Sequence, residues 1–261
     1  MALDLLQWLR DRCAEYHFDA GGIYLRTGDH AWPLAAADGR DLEAKLDAGG
    51  HLLSLPKEPA ALANILEVSL VDFLMAATRR VDGLDVKRGR ERGYPDLEFS
   101  GRALDGAFHA VDVKVARRGK TKVATDSRIT LYTGNTFFKF PALKWPAILR
   151  PFNEYASHLD VLFIYTLNPA IKGRVEDPEL IVHEAWKLGS HQRSSTTREY
   201  IGAIDNLDRL RSGTGEFNTA GEFYKFWRAY PFRLSKQVQN QLDKLVKEQQ
   251  LELERLRGKK P

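Results

Sequence analysis

With one cysteine, Cys13, in 261 residues, the chain has no means of building a disulfide framework, which removes the small stapled secreted folds from consideration. No apolar run is long enough to span a membrane and no signal peptide is discernible, so a cytoplasmic location without membrane contact is expected. Charge of either sign is scarcely in excess. The 39 Lys and Arg against 35 Asp and Glu leave a net charge of +4 and a pI near 9.0, which suits a polyanionic partner without requiring one. Internal repeats are absent, and only Gly258-Lys259-Lys260-Pro261 reads as a loose tail. An activated nucleophile is also missing, since Cys13 stands alone on an N-terminal amphipathic helix, the setting of a buried structural thiol.

What is present can build one substantial core, because 43% of the residues are hydrophobic, and a single domain over 1–261 is expected. Periodicity predicts a short amphipathic helix over Ala2 to Cys13, a strand pair at Gly22 to Leu25 and His30 to Leu34, and a long helix from Ala60 to Arg80. Strands follow at Asp96 to Phe99 and Ala107 to Val115. A helix is predicted from Pro151 to His158, leading into the apolar Leu159 to Tyr165 as a central strand. More strand character lies at Leu180 to Trp186, and helices close the chain from Ala220 and from Lys236. The fold class is therefore mixed α/β (α+β): a mixed central β-sheet flanked by helices.

Chemistry concentrates between Tyr94 and Lys114. In the run Phe108 to Val115 side chains alternate, so Val111, Val113 and Val115 point one way, toward a core, while Asp112 and Lys114 point the other. Between this run and Asp96-Leu97-Glu98-Phe99 lies a glycine-bearing, polar turn, Ser100 to Gly106. Antiparallel pairing about Leu104 would set Asp96 opposite Asp112, on the same face, with Cα atoms about 4.5–5.5 Å apart. Two carboxylates that close repel unless a cation lies between them, and hard oxygen donors suit Mg²⁺, which also binds substrate phosphate. Read alone, Asp-x-Lys is often only the solvated face of a strand. Two basic clusters, Lys87 to Gly93 and Arg117 to Lys122, flank this stretch, where a phosphate backbone would have to run.

Taken with these residues, the chain resembles the EcoRV-like type II restriction endonucleases of the Pro-Asp…Asp/Glu-x-Lys nuclease superfamily. Gly21-Gly22-Ile23-Tyr24 with Trp32-Pro33-Leu34 is similar to that family's opening strands. Tyr94-Pro95-Asp96, followed after fifteen residues by Asp112-Val113-Lys114, has its catalytic spacing. Ile129 to Gly134, Pro151 to His158, Val182 to Lys187, Ile201 to Ile204 and Glu222 to Tyr230 resemble later segments in the same order. The resemblance implies a restriction-endonuclease-like core with 1–40 and parts of 140–160 as a dimerisation subregion and 60–257 for catalysis and DNA recognition. It implies Asp96 and Asp112 as metal-binding carboxylates, the Val113 carbonyl as a further ligand, Lys114 beside the attacking water, and Glu67 as an additional catalytic acid. From its own pattern Glu67 is equally a surface charge on an amphipathic helix.

By the same resemblance, Gly189 to Glu199 would enter the major groove and Arg88 to Gly93 would approach from the minor-groove side. Gln192, Arg193 and Arg198 are then candidate base readers, with Arg90, Glu91 and Arg92 in the second loop. Ser194, Ser195, Thr196 and Thr197 would contact phosphate or merely form the turn. The activity implied is Mg²⁺-dependent, sequence-specific cleavage of palindromic duplex DNA, blunt and at a site of about six base pairs, by a homodimer whose host carries a cognate methyltransferase. A structure-specific repair or recombination nuclease with the same catalytic residues, and a non-catalytic DNA-binding protein, are the competing readings.

Overall fold

The strand carrying Asp112 and Lys114 runs through the middle of the larger sheet. In the computed structural model, which describes residues 2–18, 37–38, 40–41, 59–90, 93–170 and 174–257, five strands are ordered β1-β2-β3-β5-β6. These are β1 (Asp85–Arg88), β2 (Leu97–Ser100), β3 (His109–Arg117), β5 (Ser157–Leu167) and β6 (Val175–Glu184). β1, β2 and β3 pair antiparallel, β3 pairs parallel with β5, and β6 returns antiparallel. A second sheet is ordered β4-β8-β7, from Thr130–Thr133, Tyr200–Ala203 and Gly189–Arg193.

Each face of the large sheet has its own apolar layer. On one, α1 (Leu5–Glu15) and α2 (Pro59–Thr78) place Leu9, Leu66, Leu70 and Leu74 against Phe99, Val111, Val113, Val161 and Phe163. On the other, Ala110, Leu162 and Ile164 meet the second sheet and Phe223 and Trp227 of α4 (Ala220–Ala229). Further helices are α3 (Leu207–Ser212) and α5 (Lys236–Arg257). Asp4 caps α1 by accepting the Gln7 N–H, and Thr219 caps α4 by accepting that of Glu222. Among the described residues no helix is long and apolar enough to cross a membrane.

The mixed sheet with flanking helices agrees with the sequence reading, as do the unbroken burial of β5 from His158 to Tyr165 and the helices beginning at Ala220 and Lys236. Pro151 to His158, however, is not a helix. Only Phe152–Glu154 forms a turn, of 3-10 type, and β5 has begun by Ser157. Phe152 stacks on Tyr94 at 5.7 Å, and Tyr155 reaches back to Glu98 (3.0 Å); both contacts are tertiary and hold the chain extended against its local pattern. The strand expected at Leu180 to Trp186 starts earlier, at Val175, and gives way at Ala185 to a 3-10 turn. Gly189 to Glu199 begins not as a loop but as β7, bulged against β8. The strand pair predicted at Gly22 to Leu25 and His30 to Leu34, the proposed readers Glu91 and Arg92, and the tail from Gly258 lie outside the described residues.

Candidate active site

The β2–β3 ladder fixes the two carboxylates. Leu97 pairs with Val111, Glu98 with Ala110 and Phe99 with His109, and one more step of that register sets Asp96 opposite Asp112. The pair is tied together by backbone: the Val113 N–H donates to Asp96 Oδ2 at 2.7 Å and the Asp96 N–H to Asp112 Oδ1 at 3.3 Å. Lys114, two residues on and on the same face, makes a salt bridge to Asp112. Val111 and Val113 are buried as expected and Val115 partly so, but Asp112 is itself only 4% exposed: β3 is central, so its chemical face lies under the second sheet rather than in open solvent.

Glu67 joins this group from α2. It and Asp96 border two cavities, one of about 690 Å³ that also has Arg88, Gly89 and Arg90 in its wall, and one of about 270 Å³ that reaches Lys114, Arg128 and Thr130. Gly89 permits the first. Its N–H donates to the Asp96 carbonyl at 2.7 Å, and a Cβ there would stand 1.9 Å from the Pro95 oxygen.

Electrostatics mark the site as short of positive charge. Burial, and then the neighbouring Asp112, push Asp96 up from 3.8 to about 8, with Lys114 pulling the other way. Burial alone would lower the Lys114 ammonium, but Asp112, Asp96 and Asp160 outweigh it and hold the group above its ordinary value. Glu67 is raised by burial, an effect that Lys114 opposes and Asp112 reinforces.

Asp160 went unnoticed in the sequence. It is the parallel-ladder partner of Asp112 and 1% exposed, with its Oδ2 lacking any hydrogen-bond partner. Burial first and Asp112 second raise it well above the carboxylate range. The Tyr132 hydroxyl is likewise buried and unpartnered, and Tyr94 hydrogen-bonds His158 Nδ1 at 2.6 Å beneath the same carboxylates. The signal was available: an aspartate inside Leu159-Asp160-Val161-Leu162-Phe163-Ile164-Tyr165 must be buried if that run is a central strand.

The expected reading segment is more tied down than a loop. Arg193 donates to Glu199 at 2.9 Å, and Ser195 Oγ accepts the N–H groups of Thr197 (3.3 Å) and Arg198 (3.1 Å), so that it forms the turn. Ser194 Oγ lies 2.7 Å from Thr130 Oγ1, and Arg198 donates to the Tyr200 hydroxyl at 3.0 Å. Thr196, Thr197, Arg198 and Gln192 are exposed, as is Arg90. In the basic clusters Arg88 pairs with Asp72 (2.8 Å), Arg117 with Asp126, Arg118 with Glu179 (2.7 Å) and Lys122 with Asp177 (3.4 Å), which leaves less free positive charge than the sequence promised.

The family model described as "Restriction endonuclease EcoRV" matches residues 28–251. The chain belongs to the EcoRV restriction endonuclease family. It is therefore a DNA-binding nuclease of hydrolase type. No curated protein matches the chain.

Proposed function

We propose that the protein is a type II restriction endonuclease that hydrolyses phosphodiester bonds in palindromic double-stranded DNA with Mg²⁺, acting as a homodimer alongside a methyltransferase that protects the same site in the host. The observation that carries this reading is the reciprocal Asp96–Asp112 clamp with Lys114 against it, beside two cavities that Glu67 and Asp96 both border. The donor set fits a hard divalent cation. Among the described residues no cluster of three or more His, Cys, Asp or Glu side chains is arranged to hold a metal, but Mg²⁺ commonly takes only one or two carboxylates and keeps waters and substrate phosphate for the rest.

Asp96 and Asp112 would hold the ion, with the Val113 carbonyl as a further oxygen donor, and Glu67 would face it from α2. When bound, the ion supplies polarisation of the scissile phosphate and acidification of a water. Lys114, kept as an ammonium by its three carboxylate neighbours, positions the attacking water and stabilises the charge that develops on the phosphoryl oxygens. It is poorly suited to act as a base. Cys13 is buried and its thiol is pushed up to about 12 by burial, which removes it as a nucleophile; the reading is in-line hydrolysis by water. Arg90, in the wall shared with Asp96, is placed to approach a phosphate, and Gln192, Arg193 and Arg198 present the polar groups of the reading segment.

Genomic DNA digested with Mg²⁺ and sequenced at its ends tests the reading. Discrete fragments sharing one flanking palindrome, blunt and of about six base pairs, are expected; cuts confined to flaps or junctions, or no cutting, would refute it. Gel filtration on duplex DNA should show two chains per duplex.

A further inference from the structure

Arg128 precedes β4 and lies where the catalytic cavity meets the second sheet. Its side chain is four-fifths buried, and it lines the cavity that contains Glu67, Asp96 and Lys114. The two terminal nitrogens of its guanidinium are engaged in the other direction. Nη1 donates to the Ala203 carbonyl at 2.8 Å and to Ser190 Oγ at 3.1 Å, and Nη2 donates to Gln192 Oε1 at 3.0 Å, with Asp205 at 3.4 Å. Gly202 gives it room to cross: a Cβ there would stand 2.5 Å from Arg128 Cδ and 2.6 Å from the Gln192 carbonyl.

This contact decides which way Gln192 faces. An amide can ordinarily be turned over, since its oxygen and nitrogen look alike. A guanidinium has donors only, so the atom turned toward Arg128 has to be the oxygen. The exposed end of Gln192 is then an NH₂ group with two donors, and one lone pair of its oxygen is already taken. A side chain so oriented fits an edge with acceptors. In the major groove that edge is guanine, with O6 and N7, rather than adenine, whose N6 amino group needs an acceptor in return. The usual pairing of glutamine with adenine is thereby disfavoured.

We propose that Arg128 is a specificity-determining positioning residue: by holding Gln192 through its oxygen it makes that glutamine a donor to guanine, and because it also walls the catalytic cavity it links base reading to Asp96 and Lys114. The inference rests on the restriction-endonuclease reading of the same site. A restriction enzyme must cut only when the base is right, and Arg128 touches both sides of that condition.

The test compares the full-length wild type with Arg128→Ala, Arg128→Lys, Gln192→Ala and the double alanine variant, on duplexes carrying the site found by end sequencing and on all single-base variants of it. Relative cleavage at each position is read. At one G·C pair the wild type should discriminate, and Arg128→Ala and Gln192→Ala should each lose about tenfold of that discrimination. The double variant should lose no more than either single one, because the two side chains act as a unit. Arg128→Lys, which restores a donor to Oε1, should recover part of it. Replacing that guanine by 7-deazaguanine should slow the wild type and leave Gln192→Ala unaffected. Unchanged discrimination, additive losses, or a loss located at an A·T pair would each overturn the inference while leaving the proposed function standing. A wild type that cuts no duplex at any site would overturn both.

Discussion

Asp96→Asn should stabilise the metal-free protein while abolishing cleavage, because the geometry that makes the site useful also strains the fold. In the folded chain Asp96 titrates near 8 rather than 3.8, through burial first and Asp112 second. Between those values the native state binds the extra proton, so the stability this group contributes is complete below about pH 4 and is lost as pH rises toward 8. At pH 7 the shortfall spans about three pH units at 1.36 kcal/mol each, a ceiling of about 4 kcal/mol. Coulomb repulsion of two charges about 5 Å apart at an effective dielectric of 20 gives about 3 kcal/mol, the same order. The cavity beside Asp96 admits solvent, which screens the pair, so about 2 kcal/mol is the expected gain. Asparagine keeps an oxygen for the Val113 N–H and gains an amide that can donate to Asp112. Thermal unfolding in EDTA at pH 7.5 should then show a rise of about 4–8 °C over the wild type, shrinking to nothing near pH 4. Asp160 and Glu67, raised for similar reasons, contribute their own pH dependence to both proteins and cancel in the difference. An unchanged or lowered midpoint at pH 7.5, or a gain independent of pH, would refute the reasoning.

Three further outcomes follow from other parts of the site and its scaffold. Lys114→Met should leave a folded protein whose single-turnover cleavage on cognate DNA falls by about 10²-fold or more; near-normal rates would remove the ammonium from the chemistry. Gly89→Ala should cut poorly although no reactive group is altered, because a Cβ 1.9 Å from the Pro95 oxygen forces that strand, and Asp96 with it, out of register; full activity would show that the loop can yield without moving the carboxylate. Arg150→Ala should destabilise by about 3 kcal/mol in denaturant titration, since it strips Glu98, 4% exposed, of bonds at 2.6 and 3.0 Å and leaves only the Tyr155 hydroxyl. Burial alone would raise Glu98, yet those bonds lower it. The additional variant Glu98→Gln, which removes the charge but keeps the shape, should lose less.

How far each feature could be read in advance follows the distance over which its cause acts. The facing of Asp96 and Asp112 was legible because a hairpin's register is set locally, by two alternating strands and the turn between them. The helices at Ala220 and Lys236 were legible for the same reason: cap and periodicity lie within one turn of each other. Pro151 to His158 misled because its conformation is dictated by Glu98 and by the Tyr94 ring, contacts that its own pattern does not contain. Asp160 and Arg128 depend on sheet order, which is further still from local sequence. Only the parallel pairing of β3 with β5 makes Asp160 the neighbour of Asp112, and only the approach of β8 to β7 brings Gln192 within reach of Arg128. A reading by motif finds Asp96, Asp112 and Lys114, since their spacing lies in the sequence itself. It passes over those that set their charge and orientation, because these are supplied by whichever strand or loop the topology places alongside. Differences in target between this chain and its relatives should accordingly lie in residues such as Arg128 as much as in the exposed side chains that meet the bases.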